Sequence, residues 1–291
     1  MSGQLYLLPC PISEAPALDA LPASTVETAR RIDHFLVEAA RTARATLKAM
    51  GHPKPIAELD IVEIGHDPAP ELISEWLQPV LDGADAAVLS ESGCPGVADP
   101  GAQIAARAHE LGICVVPLTG PSSILLTLMA SGLDGQRFRF SGYLPKHDAE
   151  RRAAILAAEK ASRASETQLF IETPYRNTAL LDALLETLAP DTRLTVAIDV
   201  TGQNESIRTL TAAAWKAIPK AMRTLPKLPT VFAFLAKPGK TAPRYAPECA
   251  GGKRAHTAPS SKPAVLNNRP KQAYKTHRPE GSPVKTPKGG R

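Results

Sequence analysis

The sequence predicts an α/β protein with two domains, and three observations support this fold class. Short apolar runs typical of buried strands alternate along the chain with segments of helical periodicity. The sequence is 43% apolar but only 4% aromatic, which suits an α/β fold better than a β-sandwich. The pattern also changes near residues 118–122, and 291 residues are enough for two domains of ordinary size.

The first predicted domain covers residues 1–121. Buried apolar runs predict strands at residues 4–9, 34–38, 60–65, 86–90 and 113–118. Three- and four-residue apolar spacing predicts helices at residues 24–31, 40–50, 71–81 and 102–111, and Gly51 and Pro53 end the second of these. Because strands and helices alternate with short connections, we expect a mostly parallel sheet covered by helices.

The second predicted domain covers residues 122–238. Its strands are predicted at residues 137–144, 167–173, 194–200 and 230–236, and its helices at residues 149–163, 177–188 and 211–222. Strands and helices do not alternate as strictly as in the first half. We therefore expect a mixed sheet in this domain.

Residues 239–291 are predicted to be a disordered, basic, Pro-rich tail. From residue 241 onward the chain has eight prolines and 11 Lys and Arg against two acidic residues. Such a segment buries too little apolar surface to offset the entropy of ordering it. The formal charge is +9 for this stretch and −4 for the first 240 residues, so only the tail is basic and compatible with RNA phosphates.

The distribution of cysteines and apolar residues predicts a cytoplasmic protein. The four cysteines stand far apart without a C-x-x-C pair, which argues against a zinc site and a disulfide scaffold. The apolar stretch at residues 5–8 is too short for a signal peptide and lacks a basic region before it. No run approaches the 18 apolar residues of a membrane span, so no membrane partner is expected.

Two glycine- and proline-rich loops are the candidate ligand-binding segments. Residues 88–101 run from a buried strand through Gly93 and Gly96 to a helix, at the strand end where α/β sheets bind ligands. Residues 117–123 repeat this arrangement, with Gly120-Pro121 before a helix that Ser122 and Ser123 open. Ordinary strand-to-helix turns and a serine cap are the alternative explanation. The G-x-G-x-x-G, P-loop, H-E-x-x-H and G-x-S-x-G motifs are absent, which disfavours NAD binding and hydrolase chemistry.

Five motifs, in the same order along residues 4–236, resemble the tetrapyrrole methylase superfamily, most closely its ribosomal-RNA small-subunit methyltransferase I group. They are Pro9-Cys10-Pro11-Ile12, the loop from Ser90 to Gly101, Gly120-Pro121-Ser122, Gly142-Tyr143-Leu144-Pro145-Lys146 and Glu172-Thr173-Pro174-Tyr175-Arg176. The resemblance implies two α/β domains with S-adenosylmethionine in the cleft between them, usually in a homodimer. It also implies methylation of a ribose 2'-hydroxyl in small-subunit rRNA. By matching position, the cofactor contacts would be Pro9, Ser92, Gly93, Cys94, Val97, Ser122, Ser123, Glu172 and Thr201.

The sequence departs from the group on the acceptor side, which is typical of a divergent paralogue. The group's Glu-Asp-Thr-Arg motif is Glu38-Ala39-Ala40-Arg41 here, and its Arg-Glu-Leu-Thr-Lys stretch is replaced at residues 198–202. The Gly and Asn that follow Pro-Ile in the group are Ser13 and Glu14. Glu38 and Arg41 are the predicted catalytic residues, while the departures indicate a changed substrate or a weakened activity.

Several alternatives stay open for the catalytic base and for the function. Glu14, Asp99 and Glu172 are further candidates for the general base. Glu38 could instead pair with Arg41, and Asp99 could cap the helix after Pro100. Candidate phosphate contacts are Arg41, Lys146, Arg151, Arg152 and Arg176, although solvated helix faces explain Arg151 and Arg152 equally well. The alternative functions are methylation of a tetrapyrrole or other small molecule, and docking on RNA by a cofactor-binding protein with weak or no turnover.

Overall fold

The computed structural model describes residues 2–238, in which ten strands form two five-stranded sheets. The first sheet contains Gln4–Leu8 (β1), His34–Val37 (β2), Asp60–Glu63 (β3), Ala86–Leu89 (β4) and Cys114–Pro117 (β5). The second contains Phe138–Tyr143 (β6), Thr167–Glu172 (β7), Arg193–Ile198 (β8), Ser206–Thr211 (β9) and Thr230–Leu235 (β10). Both sheets belong to a single compact unit.

The first sheet is entirely parallel, with the strand order β3-β2-β4-β1-β5. In the centre of the sheet, Leu5 of β1 lies opposite Ala86 of β4 on one side and Val115 of β5 on the other. All residues of β2 and β4 are buried, as expected for strands that helices cover on both faces. Because the strands are parallel, the loops that follow them all leave from the same edge.

Helices cover both faces of this sheet, and neighbouring strand residues alternate between them. Phe35 packs with Leu47 on one face, whereas Leu36 packs with Leu77 and Ile104 on the other. The helices are Ala17–Ala20 (α1), Ala23–Ala29 (α2), Ala40–Ala49 (α3), Ile73–Trp76 (α4), Gln78–Leu81 (α5) and Ala102–Glu110 (α6).

The second sheet is mixed, with the strand order β6-β7-β10-β8-β9. Only β6 and β7 are parallel; β10 is antiparallel to β7 and β8, and β8 is antiparallel to β9. Ile124 and Leu128 of one helix pack on one face, and Phe170 and Phe232 of the sheet point into the core on the other. The helices are Ser123–Ser131 (α7), Asp148–Ser162 (α8), Asn177–Thr187 (α9) and Ala212–Ala217 (α10).

Four helices or strands differ from the sequence prediction, and the 3₁₀ turns at Ile56–Glu58 and Pro174–Arg176 were not predicted. The other predicted elements end within two residues of their expected bounds. The helix predicted at 71–81 is divided into α4 and α5, because Pro79 has no N–H to donate into a continuous helix. The helix predicted at 211–222 ends as α10 at Ala217, since Pro219 forces Ile218 into an extended conformation, and a 3₁₀ turn follows at Lys220–Arg223. Strand β9 was not predicted, because its Ser, Arg and Thr residues lie on a half-exposed sheet edge. The single-turn helix α1 was not predicted either, since four residues are too few to show helical periodicity.

The predicted boundary between residues 121 and 122 falls just before α7, the helix that packs on the second sheet. A division into two domains at this point stays a prediction. The predicted disorder of residues 239–291 lies outside the described residues.

Candidate active site

Three loops meet at the edge where the parallel strands of the first sheet end, after β1, β4 and β5. An isolated antiparallel bridge joins the first two loops. In it the Cys10 amide donates to the Gly93 carbonyl oxygen at 2.8 Å, and the Gly93 amide donates to the Cys10 carbonyl oxygen at 3.2 Å. The Cys94 thiol donates to the carbonyl oxygen of Pro121, 3.4 Å away, and ties the second loop to the third. The three loops therefore form one continuous surface.

The loop at residues 90–101 has a backbone that depends on its glycines. Gly93, Gly96 and Gly101 have φ angles of 74°, 80° and 129°, a region that side chains rarely tolerate. The Gly96 amide donates to the Pro100 carbonyl oxygen at 2.9 Å, which folds the loop back on itself. A Cβ atom at Gly93 would lie 3.4 Å from the Cγ2 atom of Ile12. Because Gly93 and Ile12 both line a ligand-sized cavity at this edge, a larger side chain at Gly93 would project into that cavity.

The loop after β5 is packed against the loop after β1. A Cβ atom at Gly120 would lie only 2.2 Å from the Cβ atom of Pro9, so this contact needs a glycine. Pro9 itself is buried in the contact. Pro9 therefore holds the loop after β5 in place through this packing contact.

The amino end of α7 brings two serines to the same place. Ser122 is the N-cap residue, but its hydroxyl makes no capping hydrogen bond, and its carbonyl oxygen accepts from the Leu126 amide at 3.0 Å. Serine caps usually accept a hydrogen bond from the first turn. The hydroxyl of Ser122 is therefore not engaged in capping the helix. The first amides of α7 carry unpaired N–H donors at the amino end of the helix, where anions are favoured.

Glu172, at the end of β7, is the acidic residue on the second-sheet side. Its side chain is 3% exposed, and its Oε1 atom accepts from the Thr173 amide at 2.7 Å and from Nε of Arg176 at 3.0 Å. The guanidinium of Arg176 compensates the buried charge. This pairing holds the carboxylate in a defined orientation.

These segments surround a cavity of about 320 Å³, a volume within the range of small-molecule sites. Seven of the nine predicted cofactor contacts line it: Ser92, Gly93, Cys94, Val97, Ser122, Ser123 and Glu172. The other two, Pro9 and Thr201, do not. The remaining lining residues are Ile12, Ala98, Asp99, Ile124, Tyr143, Ile171, Thr173, Pro174, Val200, Pro229, Thr230 and Val231. The cavity thus draws on both sheets.

Thr201 lies in a neighbouring cavity of about 690 Å³, whose other walls include residues 11–16 and 202–204. Its φ angle is 67°, and Ser13 Oγ lies 3.2 Å from its carbonyl oxygen and 3.1 Å from its hydroxyl. Ser13 and Thr201 therefore join the loop after β1 to the loop after β8. Glu14 also lines this 690 Å³ cavity and does not line the 320 Å³ cavity.

Four ionisable side chains gather at the ends of β2, β3 and β4. Glu38 lies between two partners: its Oε1 atom is 3.1 Å from Nδ1 of His66, and its Oε2 atom accepts from the Glu91 amide at 3.0 Å. Hydrogen bonding to Glu38 raises the pKa of His66. Burial, together with the charges of Glu38 and Glu91, raises the pKa of Asp99 to about 6, although His66 opposes the shift. The cluster is therefore held by contacts among its own members.

Among the described residues, neither Glu38 nor Asp99 has the purely local role that the sequence left open for it. Glu38 makes no ion pair with Arg41, which is exposed. Asp99 does not cap α6, because the N-cap residue is Gly101 and no side chain accepts there. Neither acid is thus explained by the local role that the sequence left open.

Of the remaining predicted phosphate contacts near the start of α8, Lys146 and Arg152 are exposed, whereas Arg151 is mostly buried. Arg151 pairs with Asp148 and donates from Nη1 to the carbonyl oxygen of Lys146 at 3.0 Å. A solvated helix face therefore describes Arg152 but not Arg151, whose side chain is 16% exposed and bonds to Asp148 and Lys146.

The thiols near the cavity are protonated at neutral pH. Burial raises the pKa of Cys10 to about 12, and burial also raises the pKa of Cys94. A nucleophilic cysteine needs the thiolate form. The site is therefore unsuited to covalent cysteine chemistry.

Sequence reasoning missed several parts of the site. Tyr143, Val200 and the start of β10 line the cavity, and His66 joins the acidic cluster. Tyr143 lies in one of the five motifs but had no predicted role, and His66 follows a predicted strand at the edge where ligands bind. The start of β10 had no such signal, because its strand begins at the cavity rather than ending there.

The fold and the site define a class of protein: an α/β protein with a ligand cavity built from loops at the ends of two sheets. The model of the family "Tetrapyrrole (Corrin/Porphyrin) Methylases" matches residues 17–215, and the chain belongs to this family. Among residues 2–238, no helix is long and apolar enough to cross a membrane.

Relatives named "Ribosomal RNA small subunit methyltransferase I" match over about 70% of this chain. The protein from Bacillus subtilis is 30% identical over 203 residues, and the match spans 65% of its length. The protein from Vibrio cholerae is 30% identical over 205 residues, 67% of its length, and that from Pseudomonas aeruginosa is 28% identical over 212 residues, 71% of its length. The chain therefore matches about two thirds of each relative.

Solved structures share the fold at low sequence identity. Diphthine synthase aligns with a TM-score of 0.57 and 17% identity, over 80% of this chain and 90% of that chain. The methyltransferase CobJ aligns with a TM-score of 0.55 and 16% identity, over 81% and 95% of the two chains. The expected tetrapyrrole methylase fold is confirmed.

Proposed function

We propose that this protein is an S-adenosylmethionine-dependent methyltransferase that methylates a ribose 2'-hydroxyl of small-subunit rRNA. The observation that carries the proposal is the 320 Å³ cavity, which seven of the nine cofactor contacts implied by the family resemblance line together. Membership of a methylase family and the names of the relatives support it.

The residues around the cavity fit this cofactor in shape and in chemistry. Gly93 leaves room where a side chain would intrude, and the backbone next to it offers polar groups to an adenosine. The amino end of α7 suits a carboxylate, while the Glu172 carboxylate suits an ammonium or hydroxyl group. When bound, S-adenosylmethionine supplies a methyl group already activated by a sulfonium. The chain's part is then to position the two reactants and to exclude water.

Two exposed side chains beside the 320 Å³ cavity support RNA as the acceptor. Tyr175 follows the cavity residue Pro174 and is 81% exposed. Nζ of Lys227 lies 5.1 Å from the centre of its ring. An exposed aromatic ring beside a cation is suited to stacking a base and contacting a phosphate of single-stranded RNA.

Two further parts of the proposal follow, one from the family resemblance and one from the distribution of cysteines. The protein is a homodimer, for which the exposed Leu125 and Met129, one turn apart on α7, offer an apolar surface. It acts in the cytoplasm, where its dispersed cysteines stay reduced.

Reduced turnover is the alternative that a specific observation favours. Ala39 and Ala40 replace the polar residues of the group's motif, and Arg41 lies exposed without a partner within the described range. A protein that binds the cofactor and the ribosomal subunit but transfers no methyl group would fit these losses.

Calorimetric titration of S-adenosylmethionine tests the proposal. We expect the wild type to bind and Gly93→Trp to lose binding, because the new side chain would enter the cavity. Gly112→Trp is the matched control: its φ of 73° imposes the same backbone strain, but it faces open space away from the cavity. Methyl transfer to undermethylated small subunits is measured next. A wild type that binds no cofactor would overturn the methyltransferase proposal; binding without transfer would support the reduced-turnover alternative.

A further inference from the structure

Asp99 lies where two cavities meet. It lines the 320 Å³ cavity proposed for the cofactor and also a separate cavity of about 230 Å³. The 230 Å³ cavity is open to solvent beside the exposed His66 and is bounded by the first turn of α6. Its lining residues are His66, Pro68, Ala98, Asp99, Pro100, Gly101, Ala102 and Gln103. Apart from its neighbour Ala98, Asp99 is the only described residue that lines both cavities.

The surroundings of Asp99 make it a stronger base than an ordinary carboxylate. Burial is the main cause, and the charges of Glu38 and Glu91 add to it, which together raise its pKa to about 6. His66 and the Ser90 hydroxyl act in the opposite direction. The groups facing it are Glu38 after β2, His66 after β3, Ser90, Glu91 and Cys94 after β4, and Cys10 after β1. At neutral pH the carboxylate is ionised, and its pKa is close to the operating pH, as an efficient general base requires.

The other candidate carboxylates are occupied elsewhere. Both oxygens of Glu38 have partners, one in His66 and one in the Glu91 amide. Glu172 is paired with Arg176 and does not line the 230 Å³ cavity. Glu14 lines only the 690 Å³ cavity. Asp99 is therefore the carboxylate that can face both reactants.

We propose that Asp99 is the general base of the methyl transfer, and that the acceptor nucleotide approaches through the 230 Å³ cavity. This inference rests on the proposed function and names the residue that removes the proton. The acceptor hydroxyl oxygen forms a bond to the methyl carbon as the carbon–sulfur bond breaks. The electron pair of that bond stays on sulfur, which becomes a neutral thioether, and the hydroxyl proton passes to an Oδ atom of Asp99.

Replacement of the carboxylate tests the catalytic part. We expect Asp99→Asn to lower the single-turnover rate on undermethylated small subunits by roughly 10²–10⁴-fold. The wild-type rate should rise with pH through about 6, as Asp99 loses its proton, and this dependence should disappear in the variant. Affinity for S-adenosylmethionine should change by less than about threefold, which separates proton removal from cofactor binding. Asp67→Asn is the control, because this exposed carboxylate lies on the same segment as His66 but lines neither cavity.

Obstruction of the second cavity tests the acceptor path without cofactor or turnover. Ala102→Trp places a large side chain in that cavity, whereas Ala106→Trp lies exposed one turn later on α6 and outside it. We expect the first variant to bind small subunits about tenfold more weakly in a filter-binding assay and the second to bind like the wild type.

Each outcome decides the inference. Asp99→Asn with a rate within about threefold of the wild type would overturn the role of Asp99, and undiminished subunit binding by Ala102→Trp would overturn the acceptor path. Should Asp99→Asn fail to fold, Asp99→Glu keeps a base and should retain measurable, pH-dependent turnover. An active wild type with unaffected variants refutes only this inference, whereas a wild type that transfers no methyl group refutes the proposed function with it.

Discussion

At the scale of single residues, the two acids that line the 320 Å³ cavity have opposite surroundings. Glu172 is almost fully buried but accepts hydrogen bonds from Thr173 and Arg176, which compensate its charge. Asp99 faces negative neighbours, and the cationic form of His66 is its only compensating charge among the described residues. The same functional group therefore has hydrogen-bond donors that compensate its charge in one place, and burial and negative neighbours that raise its pKa in the other.

Ionised Asp99 should lower the free energy of unfolding at neutral pH. Its pKa is higher in the folded chain than in the unfolded chain, so the folded state binds the proton more tightly. Stability from this group is full below about pH 4 and is lost as pH rises towards about 6. We expect Asp99→Asn to be more stable than the wild type at pH 7.5 by about 1 kcal/mol after allowance for solvent screening. Urea unfolding between pH 4.5 and 7.5 measures the difference, which should shrink towards the acid end; a less stable variant at pH 7.5 would contradict the assignment.

At the scale of elements, the site depends on loops that hold one another in place. The loops after β1 and β4 share two backbone hydrogen bonds, and the loop after β5 closes on Pro9 through Gly120. The strands contribute by ending at the same edge of a parallel sheet. Cavity shape is thus set by contacts between loops that are distant in sequence.

Gly120→Ala should disturb these loops through steric contact alone. Its new Cβ atom would lie 2.2 Å from Pro9, and overpacking of this kind typically costs about 1–3 kcal/mol. Weaker S-adenosylmethionine binding should accompany the destabilisation, because Pro9 precedes the bridge to Gly93. Gly135→Ala meets nothing within 4 Å and is the control. Urea unfolding and calorimetry measure both effects, and a Gly120→Ala protein as stable as the control would show that the loops yield freely.

At the scale of the whole molecule, the two sheets contribute different parts of the site. The first sheet supplies the glycine-rich loops and the acidic cluster, and the second supplies Glu172 and the apolar wall around Val231. Charge is also divided along the chain: residues 241–291 carry a formal +9 and the preceding residues −4. The first 240 residues therefore do not attract RNA by their net charge.

Removal of residues 239–291 should weaken RNA binding and leave cofactor binding intact. For every phosphate that the tail neutralises in the full chain, its removal should lower the logarithmic salt slope of single-stranded RNA affinity by about 0.7. Binding of small-subunit RNA at several salt concentrations, compared between the full chain and residues 1–238, measures this change. An equal slope in both proteins would mean that the tail neutralises no phosphates.

Much of the fold was predictable, because its signals are local. Buried apolar runs located the strands, and Gly51 and Pro53 located the end of α3. Strand β9 could not be predicted because an edge strand with one exposed face has a weak apolar pattern. The break between α4 and α5 was hidden because the helical apolar spacing continues across Pro79. In the site, the glycine loops were recognisable since the backbone itself demands those residues.

The sequence by itself determined the family and the alternation of strands and helices. It also located seven predicted cofactor contacts that line the 320 Å³ cavity. Only the tertiary structure decided that Thr201 lines the 690 Å³ cavity but not the 320 Å³ cavity, and that Glu38 pairs with His66 instead of Arg41. It alone placed Asp99 between two cavities. Local conformation follows from neighbours in sequence, whereas the partners, burial and pKa of an ionisable group depend on residues that the fold brings together from distant strands.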